Sequence, residues 1–271
     1  MKHLLKQIIF WIGVVVLVLF FVFPIAWVYV TSFKGRADIM VPTRIFFTPT
    51  LENYFYEFWK MPLLHQMKNS AIASVISTIF VMIVSLPAAY SFARFNTGEG
   101  HLLFFTLTTR MFPPVVAAIP YFFIFKSWGL LDTHLGLILL YTYFNMSFAT
   151  FLLYGFFREI PEELEYAAMV DGYGRLTIFR RIVFPLIAPG AAVTTVFCLI
   201  FSWNEFFFGY IFTRTVARTM SFGLISHWGS VVVQWGPMAV GVGVAILPTL
   251  IAGLFMQRFI IRGLTFGAVK G

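Results

Sequence analysis

Charged residues are scarce in this sequence of 271 residues, and cysteine is almost absent. Only 11% of the residues are charged, against about 25% in an ordinary soluble domain. The hydrophobic set makes up 60% of the chain, and the mean hydropathy is +0.87. Because one core of this length cannot hide so much apolar surface, part of it must face lipid. The composition therefore excludes a soluble globule and a disordered chain.

The one cysteine, Cys198, lies in an apolar run and excludes an intrachain disulfide framework and a cysteine-rich zinc site. We expect no metal and no cofactor in this chain. The five histidines are scattered and no H-E-x-x-H or G-x-S-x-G motif occurs, so a membrane-embedded enzyme is the weaker alternative. We expect no nucleic-acid partner despite the net charge of +8, because excess positive charge beside membrane spans is typical of membrane proteins.

Uncharged apolar windows of about 20 residues, long enough to cross a membrane, occur five times. A sixth window contains Arg110 and three prolines, which predict a broken or kinked span. We expect Arg110 to reach the interface or to pair with Glu99 or Asp171. The prediction is an all-α polytopic membrane protein in which one transmembrane domain covers residues 1–271. The six predicted spans are about 8–30, 70–93, 102–125, 135–157, 182–204 and 238–257.

The N-terminal apolar run is too long for a signal peptide and lacks a cleavage site of the A-x-A kind, so we expect it to remain as the first span. With both termini on one side, ten Lys and Arg residues lie on that side and eight on the other. Lys and Arg residues in the loops beside membrane spans are more frequent on the cytoplasmic side. The sequence therefore favours cytoplasmic termini. A channel or proton-coupled carrier would need charges in several spans, whereas five of the six windows carry none.

The segment 158–175 holds five of the 11 acidic residues. Pro161 suits the first position of a helix, acids favour a helix N-terminus, and Gly172 or Gly174 can end it. We therefore predict a short cytoplasmic helix at about 161–172, too polar to span the membrane. Ala167 and Ala168 form a small-residue patch that another protein could approach closely. The alternative is a surface helix that merely connects two spans.

This segment, continuing through Ile182, Pro185 and Leu186, resembles the cytoplasmic signature loop of ABC-importer permeases, in which E-A-A and D-G mark a coupling helix. Other parts are similar to the carbohydrate-uptake branch, above all to the second permease subunit of maltose-type transporters. Those parts are Gly129–Thr133, Trp203–Phe206 and the tail from Gln257 to Gly271. In one departure, Tyr166 stands immediately before the alanine pair, where this family usually has Glu.

The resemblance implies a sugar permease that is not itself an enzyme, located in the cell inner membrane. It implies a second permease subunit, two cytoplasmic ATPases that carry ATP and Mg²⁺, and an external solute-binding protein. A G-x-x-x-x-G-K-[ST] motif is absent from this chain, so ATP must bind another polypeptide. A permease for a polyol, an amino acid or a polyamine is the alternative. The implied docking residues are Glu163, Leu164, Glu165, Tyr166, Ala167, Ala168, Asp171 and Gly172.

Two further sets of residues are candidates for contacts outside the docking helix. Polar side chains in or beside apolar spans are expected to face a cavity or another helix, because an unpaired polar group in hydrocarbon is costly. The candidates for the substrate pathway are Asn145, Trp203, Asn204 and Glu205. The long segment 205–237 could contact an extramembrane partner. Its candidates for the solute-binding protein are His227, Trp228, Gln234 and Trp235.

Overall fold

The computed structural model describes residues 2–41, 43–228 and 233–267. The end of the predicted tail, residues 268–271, lies outside these ranges, and the side chain of Glu99 is likewise outside what is described. All regular elements in the described ranges are helical, which confirms the all-α prediction. The α-helices are α1 (Lys2–Ser32), α2 (Arg36–Ile39), α3 (Glu52–Phe55), α4 (Leu63–Phe95), α5 (His101–Met111), α6 (Pro114–Ser127), α7 (His134–Glu159), α8 (Glu163–Val170), α9 (Arg175–Ile178), α10 (Phe184–Trp203), α11 (Phe207–Phe212), α12 (Met220–Gly223) and α13 (Trp235–Gly267). Two π-helical turns cover Tyr56–Lys60 and Phe179–Val183, and two 3₁₀ turns cover Thr97–Gly100 and Leu224–His227.

Five continuous helical segments are long and apolar enough to cross a membrane. They are His3–Ser32, Leu63–Phe95, His134–Glu159, Arg175–Trp203 and Trp235–Gln257. Helices α5 and α6 meet at a bend of 90°. Taken together as one broken span, they would form a sixth membrane-spanning segment. The number of long apolar helices is thus consistent with six spans, whereas the predicted span bounds stay a prediction.

The bend between α5 and α6 has a local cause in the sequence. Phe112 has an extended ψ of 125°, as expected for a residue that precedes proline. Pro113 caps α6, and Pro114 occupies its first turn, where the missing N–H costs no helical hydrogen bond. Two consecutive prolines therefore end one helix and begin the next.

The chain divides into two compact units, one of Met1–His65 with Gly223–Pro248 and one of Gln66–Phe222 with Thr249–Gly271. In the first unit, the Tyr29 hydroxyl donates to the carbonyl oxygen of Gly243 at 2.8 Å and so links α1 to α13. Along α1, apolar side chains such as Leu19 and Phe20 are more than 60% exposed, as a lipid-facing or subunit-facing surface requires. The expectation of one permease domain over residues 1–271 stays a prediction.

The second unit is built on α4, α7 and α10, and its core forms two main clusters. The cluster next to α8 contains Ala89, Ala93, Leu153, Phe157, Ala168, Ile178, Val183, Ile187 and Ala191. The cluster next to α11 contains Ala73, Phe125, Leu137, Leu140, Tyr141, Phe208, Phe212 and Ala217. Each cluster therefore fixes a short connecting helix against the long ones.

A polar seam joins α4, α7 and α10 at depth. The Asn145 Nδ2 donates to Ser202 Oγ at 2.9 Å, and the hydroxyls of Ser77 and Ser202 lie 3.3 Å apart. All three side chains are buried. Hydrogen bonds between helices hold membrane bundles together where hydrophobic burial offers little driving force. The seam therefore stabilises the packing of α4, α7 and α10.

Candidate functional site

The short helix α8, called the docking helix after its predicted role, begins later than the sequence predicts. Its first helical residue is Glu163, with Glu162 as the N-cap, so Pro161 precedes the helix instead of taking its first position. The helix ends at Val170, and Gly172 follows with a φ of 86°. Glycine adopts this left-handed conformation without the steric cost of a Cβ. Of the two predicted terminators, Gly172 is therefore the one that turns the chain.

Glu165 anchors the docking helix to the long helix α4. Its carboxylate accepts hydrogen bonds from Arg94 Nε and from the Tyr90 hydroxyl, and the side chains of Arg94 and Glu165 are both 5% exposed. Arg94 Nη2 also donates to the carbonyl oxygen of Ile160 at 2.8 Å. The buried charges of Arg94 and Glu165 thus pair with each other and accept or donate further hydrogen bonds. A buried ion pair is tolerated only under these conditions.

The structure divides the predicted docking residues into an inward and an outward set. Glu165 and Ala168 face the chain's own core, with Ala168 only 5% exposed in the cluster next to α8. This burial corrects the expectation that Ala167 and Ala168 together form an open patch. The outward set comprises Glu163, Leu164, Tyr166, Ala167, Asp171 and Gly172.

Tyr166, which replaces the glutamate usual in the resembled family, lies on the outward side and is 57% exposed. Its hydroxyl donates to the Glu162 carboxylate at 2.9 Å, one helical turn earlier. This hydrogen bond and the negative charge of Glu162 raise the pKa of Tyr166. Three residues of this helix are candidates to replace the usual glutamate. Glu165 is committed to Arg94, whereas Tyr166 and Glu163 remain accessible.

A second feature is a cavity of about 300 Å³ within the second unit. It brings together three of the four predicted pathway residues, Asn145, Asn204 and Glu205, whereas Trp203 lies outside its described wall. Asn204 Nδ2 donates to the carbonyl oxygen of Ile200 at 2.9 Å. The remaining lining residues are Arg110, Pro114, Tyr141, Phe144, Ile200, Phe201, Phe207 and Phe208.

Glu205 has a structural role in this wall. Its carboxylate accepts hydrogen bonds from the backbone N–H groups of Phe208 and Gly209 at 2.9–3.2 Å, in the first turn of α11. Burial raises the pKa of Glu205, and these backbone donors act in the opposite direction. Glu205 thus caps α11 in addition to lining the cavity.

Sequence reasoning missed a third feature, the loop clasp formed by Asp132 and residues 214–217. The Asp132 carboxylate accepts hydrogen bonds from four consecutive backbone N–H groups, those of residues 214–217, at 2.9–3.2 Å. Asp132 itself has a positive φ of 55°. The Gly129–Thr133 motif was the available signal, but nothing in the sequence relates it to a loop more than 80 residues away.

Within the first unit, His227 is only 2% exposed, which corrects the expectation that it contacts a solute-binding protein. Its Nε2 lies 2.6 Å from the Glu57 carboxylate, which is also buried. The other three residues of that set, Trp228, Gln234 and Trp235, are exposed. The accessible part of the predicted binding-protein surface is therefore aromatic and neutral.

The described part of the chain thus combines long apolar helices, typical of a multi-pass membrane protein, with a short exposed helix that connects two of them. Residues 81–266 match the family described as the binding-protein-dependent transport system inner membrane component. This chain belongs to that family. It is therefore a multi-pass inner membrane component of a transport system, a permease subunit.

Curated relatives match over most of their length. The sulfoquinovosyl glycerol transport system permease protein SmoH of Agrobacterium fabrum is 33% identical, over 92% of this chain and 89% of that protein. The trehalose/maltose transport system permease protein MalG of Thermococcus litoralis is 31% identical, over 100% of this chain and 99% of that protein. A crystal structure of a bacterial ABC transporter involved in alginate import contains a chain with the same fold, at a TM-score of 0.77 and 20% identity, covering 94% of this chain and 96% of that one.

Proposed function

We propose that this chain is one of two permease subunits of a sugar importer, with both termini in the cytoplasm. A separate ATPase binds ATP and Mg²⁺ and docks on the docking helix. A solute-binding protein delivers the sugar from the other side of the membrane. The charge distribution, ten Lys and Arg residues against eight, supports this orientation.

The observation that carries the proposal is the exposed apolar side of the docking helix. Leu164 is 44% exposed and Val170 is 88% exposed, although the helix is only eight residues long and is fixed to the core by its other side. Exposed Ala167 leaves room for a close approach. Apolar side chains presented in this way are typical of a protein interface, and the acids around them orient a partner electrostatically.

The buried anchor explains how a docked partner would act on the membrane helices. Arg94 and Tyr90 lie on α4 and hold Glu165 of the docking helix, while Ala168 packs into a cluster shared by α4, α7 and α10. A displacement of the docking helix would therefore pull on the ends of these helices. Rigid-body movement of packed helices is a common way to switch between two conformations.

A sugar is the substrate class that the relatives support. Two of them, at 31% and 33% identity over almost the whole chain, are named for trehalose or maltose and for sulfoquinovosyl glycerol. The cavity of the second unit combines amide side chains with aromatic ones, a combination that suits sugar hydroxyls and ring faces. The alternatives of a polyol, amino acid or polyamine permease have no comparable observation in their favour.

Affinity purification from the native membrane tests the subunit assignment. A tag on this chain should retain an ATPase and a second permease, both identified by mass spectrometry. An isolated chain that transports solute alone would refute the proposal.

Two matched variants test the docking surface. Ala167→Trp places a bulky side chain on the outward side of the docking helix and should abolish ATPase co-purification. Ala37→Trp makes the same change at an exposed alanine of α2, on the predicted opposite side, and should leave co-purification intact. Normal ATPase binding by the Ala167→Trp variant would contradict docking at this helix.

A further inference from the structure

Arg110 carries a charge on a segment that is part of a broken membrane span. It lies at the end of α5, two residues before the bend, and lines the cavity of the second unit. Its Nη1 donates to the carbonyl oxygen of Phe144 at 2.6 Å. The guanidinium carbon lies 5.3 Å from the ring centre of Phe148 and 5.2 Å from that of Phe201. These contacts fix the orientation of the guanidinium but do not neutralise it.

No carboxylate of the described side chains forms an ion pair with Arg110. The expectation that it pairs with Asp171 is therefore wrong for the described structure. Glu205 lines the same cavity, but its two oxygens accept the backbone N–H groups of Phe208 and Gly209. A charged side chain at membrane depth is costly unless it meets a counter-charge or water. Arg110 thus presents a guanidinium without a direct ion pair to a described side chain, at the wall of an open cavity.

The geometry points to an acidic sugar as the substrate, with Arg110 as the residue that binds its anionic group. The guanidinium has five N–H donors, of which the described structure engages one at Phe144. The others are available to a carboxylate, sulfonate or phosphate, which a guanidinium can bind through two parallel hydrogen bonds. Asn204, in the same wall, offers its amide oxygen to sugar hydroxyls, since its Nδ2 already donates to Ile200 and Thr249. This inference rests on the proposed function and adds the charge of its substrate.

Two neighbouring rings in contact with Arg110 strengthen the inference. Phe148 and Phe201 hold the planar guanidinium by cation–π contacts, which are stronger where water is excluded. The site is therefore arranged before the ligand arrives, and little side-chain entropy is lost on binding. A neutral sugar would accept hydrogen bonds from the guanidinium but would supply no counter-charge.

The first experiment identifies the charge of the solute. The solute-binding protein retained by the purified complex is analysed by mass spectrometry for its bound sugar. Its thermal stability is also measured with glucuronate, galacturonate and glucose 6-phosphate, each against the neutral parent sugar. We expect an acidic sugar in the protein and stabilisation by acidic sugars. A protein that carries a neutral sugar and prefers the neutral parents overturns the inference.

The second experiment measures uptake of the identified solute by proteoliposomes. Arg110→Met should raise KM about 10- to 100-fold, as expected for loss of a hydrogen-bonded charge pair, and Arg110→Lys should raise it less. Lys126→Met, at an exposed cation of α6 outside the cavity and outside the segment 205–237, is the matched control and should leave KM unchanged. An unchanged KM in Arg110→Met overturns the inference.

Assembly distinguishes the remaining outcomes. If both Arg110 variants lose the second permease subunit, the arginine pairs with that subunit and the inference is wrong. If the wild-type chain retains no ATPase at all, the proposed function fails, whatever the Arg110 variants do.

Discussion

Two connecting segments of the second unit are each fixed by one acidic residue, but in different ways. Glu165 lies in the docking helix and binds the side chains of Arg94 and Tyr90 on α4. Asp132 lies between α6 and α7 and binds backbone N–H groups of residues 214–217. The first acid joins a short helix to a long one, whereas the second shapes a loop.

This difference has a mechanical consequence. A buried ion pair between side chains on two helices makes the helices move together, because separating them would expose two unpaired charges. The loop clasp has no such long helix on its other side, since its donors belong to the loop itself. We therefore expect damage to Glu165 to affect energy coupling and stability, and damage to Asp132 to affect the local order of one loop.

Replacing Glu165 should have the largest effect. Glu165→Ala removes the close, buried carboxylate of Arg94 and leaves the more exposed Glu162, 3.8 Å away. Breaking a buried pair in this way costs about 3–5 kcal/mol. We expect a clear drop in the unfolding temperature of the purified complex and the loss of solute-stimulated ATP hydrolysis.

The matched control for Glu165 is Glu163→Ala, which removes an exposed acid from the same helix. Its unfolding temperature should stay close to that of the wild type. The double variant Arg94→Met with Glu165→Met should recover part of the lost stability, because no buried charge then lacks a partner. If Glu165→Ala and Glu163→Ala behave alike, Glu165 is not an anchor.

The two alanines of the docking helix should respond differently to the same substitution. Ala168→Trp forces a large side chain into the packed cluster next to α8, and overpacking of this kind costs about 1–3 kcal/mol or more. It should lower the unfolding temperature of the chain itself. Ala167→Trp should leave that temperature unchanged while it disrupts docking. Equal thermal shifts in the two variants would contradict the division into inward and outward residues.

Replacing Asp132 should have a smaller and more local effect. Asp132→Ala removes the shared acceptor of the loop clasp, and hydrogen bonds to a charged group contribute about 1.5–3 kcal/mol. Trypsin cleavage after Arg214 and Arg218 should become faster, because the backbone of the loop between them then loses its contacts with Asp132 and keeps the hydrogen bonds from Asn69 to the carbonyl oxygens of residues 216 and 218. Asp38→Ala, at an acid whose partner Arg44 is exposed, is the control. Unchanged cleavage in Asp132→Ala would show that the loop does not depend on the clasp.

The pH dependence of this loop follows from the same contacts. Partial burial alone would raise the pKa of Asp132, but the four backbone donors outweigh it and lower the pKa to about 2. Since the folded value lies below the ordinary value of 3.8, the stabilisation is complete above about pH 4 and is lost as the pH falls towards 2. Protection of the loop from acid proteases should therefore weaken over this range in the wild type and not in Asp132→Ala.

The sequence predicted the parts of the molecule that local patterns determine. Apolar windows located the spans, and Pro113 and Pro114 located the break, because prolines act on their own backbone. The positions of Glu165 and Asp132 could not be predicted, since their partners lie 71 and more than 80 residues away. An acid-rich helix also gives no sign of which acid turns inward, which is why Glu165 and Ala168 were assigned to the partner surface together with their exposed neighbours.

Substitutions at Tyr166 should have the smallest effect on stability, and they test what surface the partner ATPase presents to the docking helix. Tyr166→Phe removes only the hydroxyl that donates to Glu162. Because the side chain is exposed and held by no buried contact, we expect no measurable change in the unfolding temperature. Tyr166→Glu, which restores the residue usual in the resembled family, puts a second negative charge one turn after Glu162 and should weaken the helix slightly. ATPase co-purification is measured for both. If Phe is tolerated and Glu is not, the partner ATPase presents a surface suited to an aromatic ring, whereas the reverse result would mean that it still presents a cation.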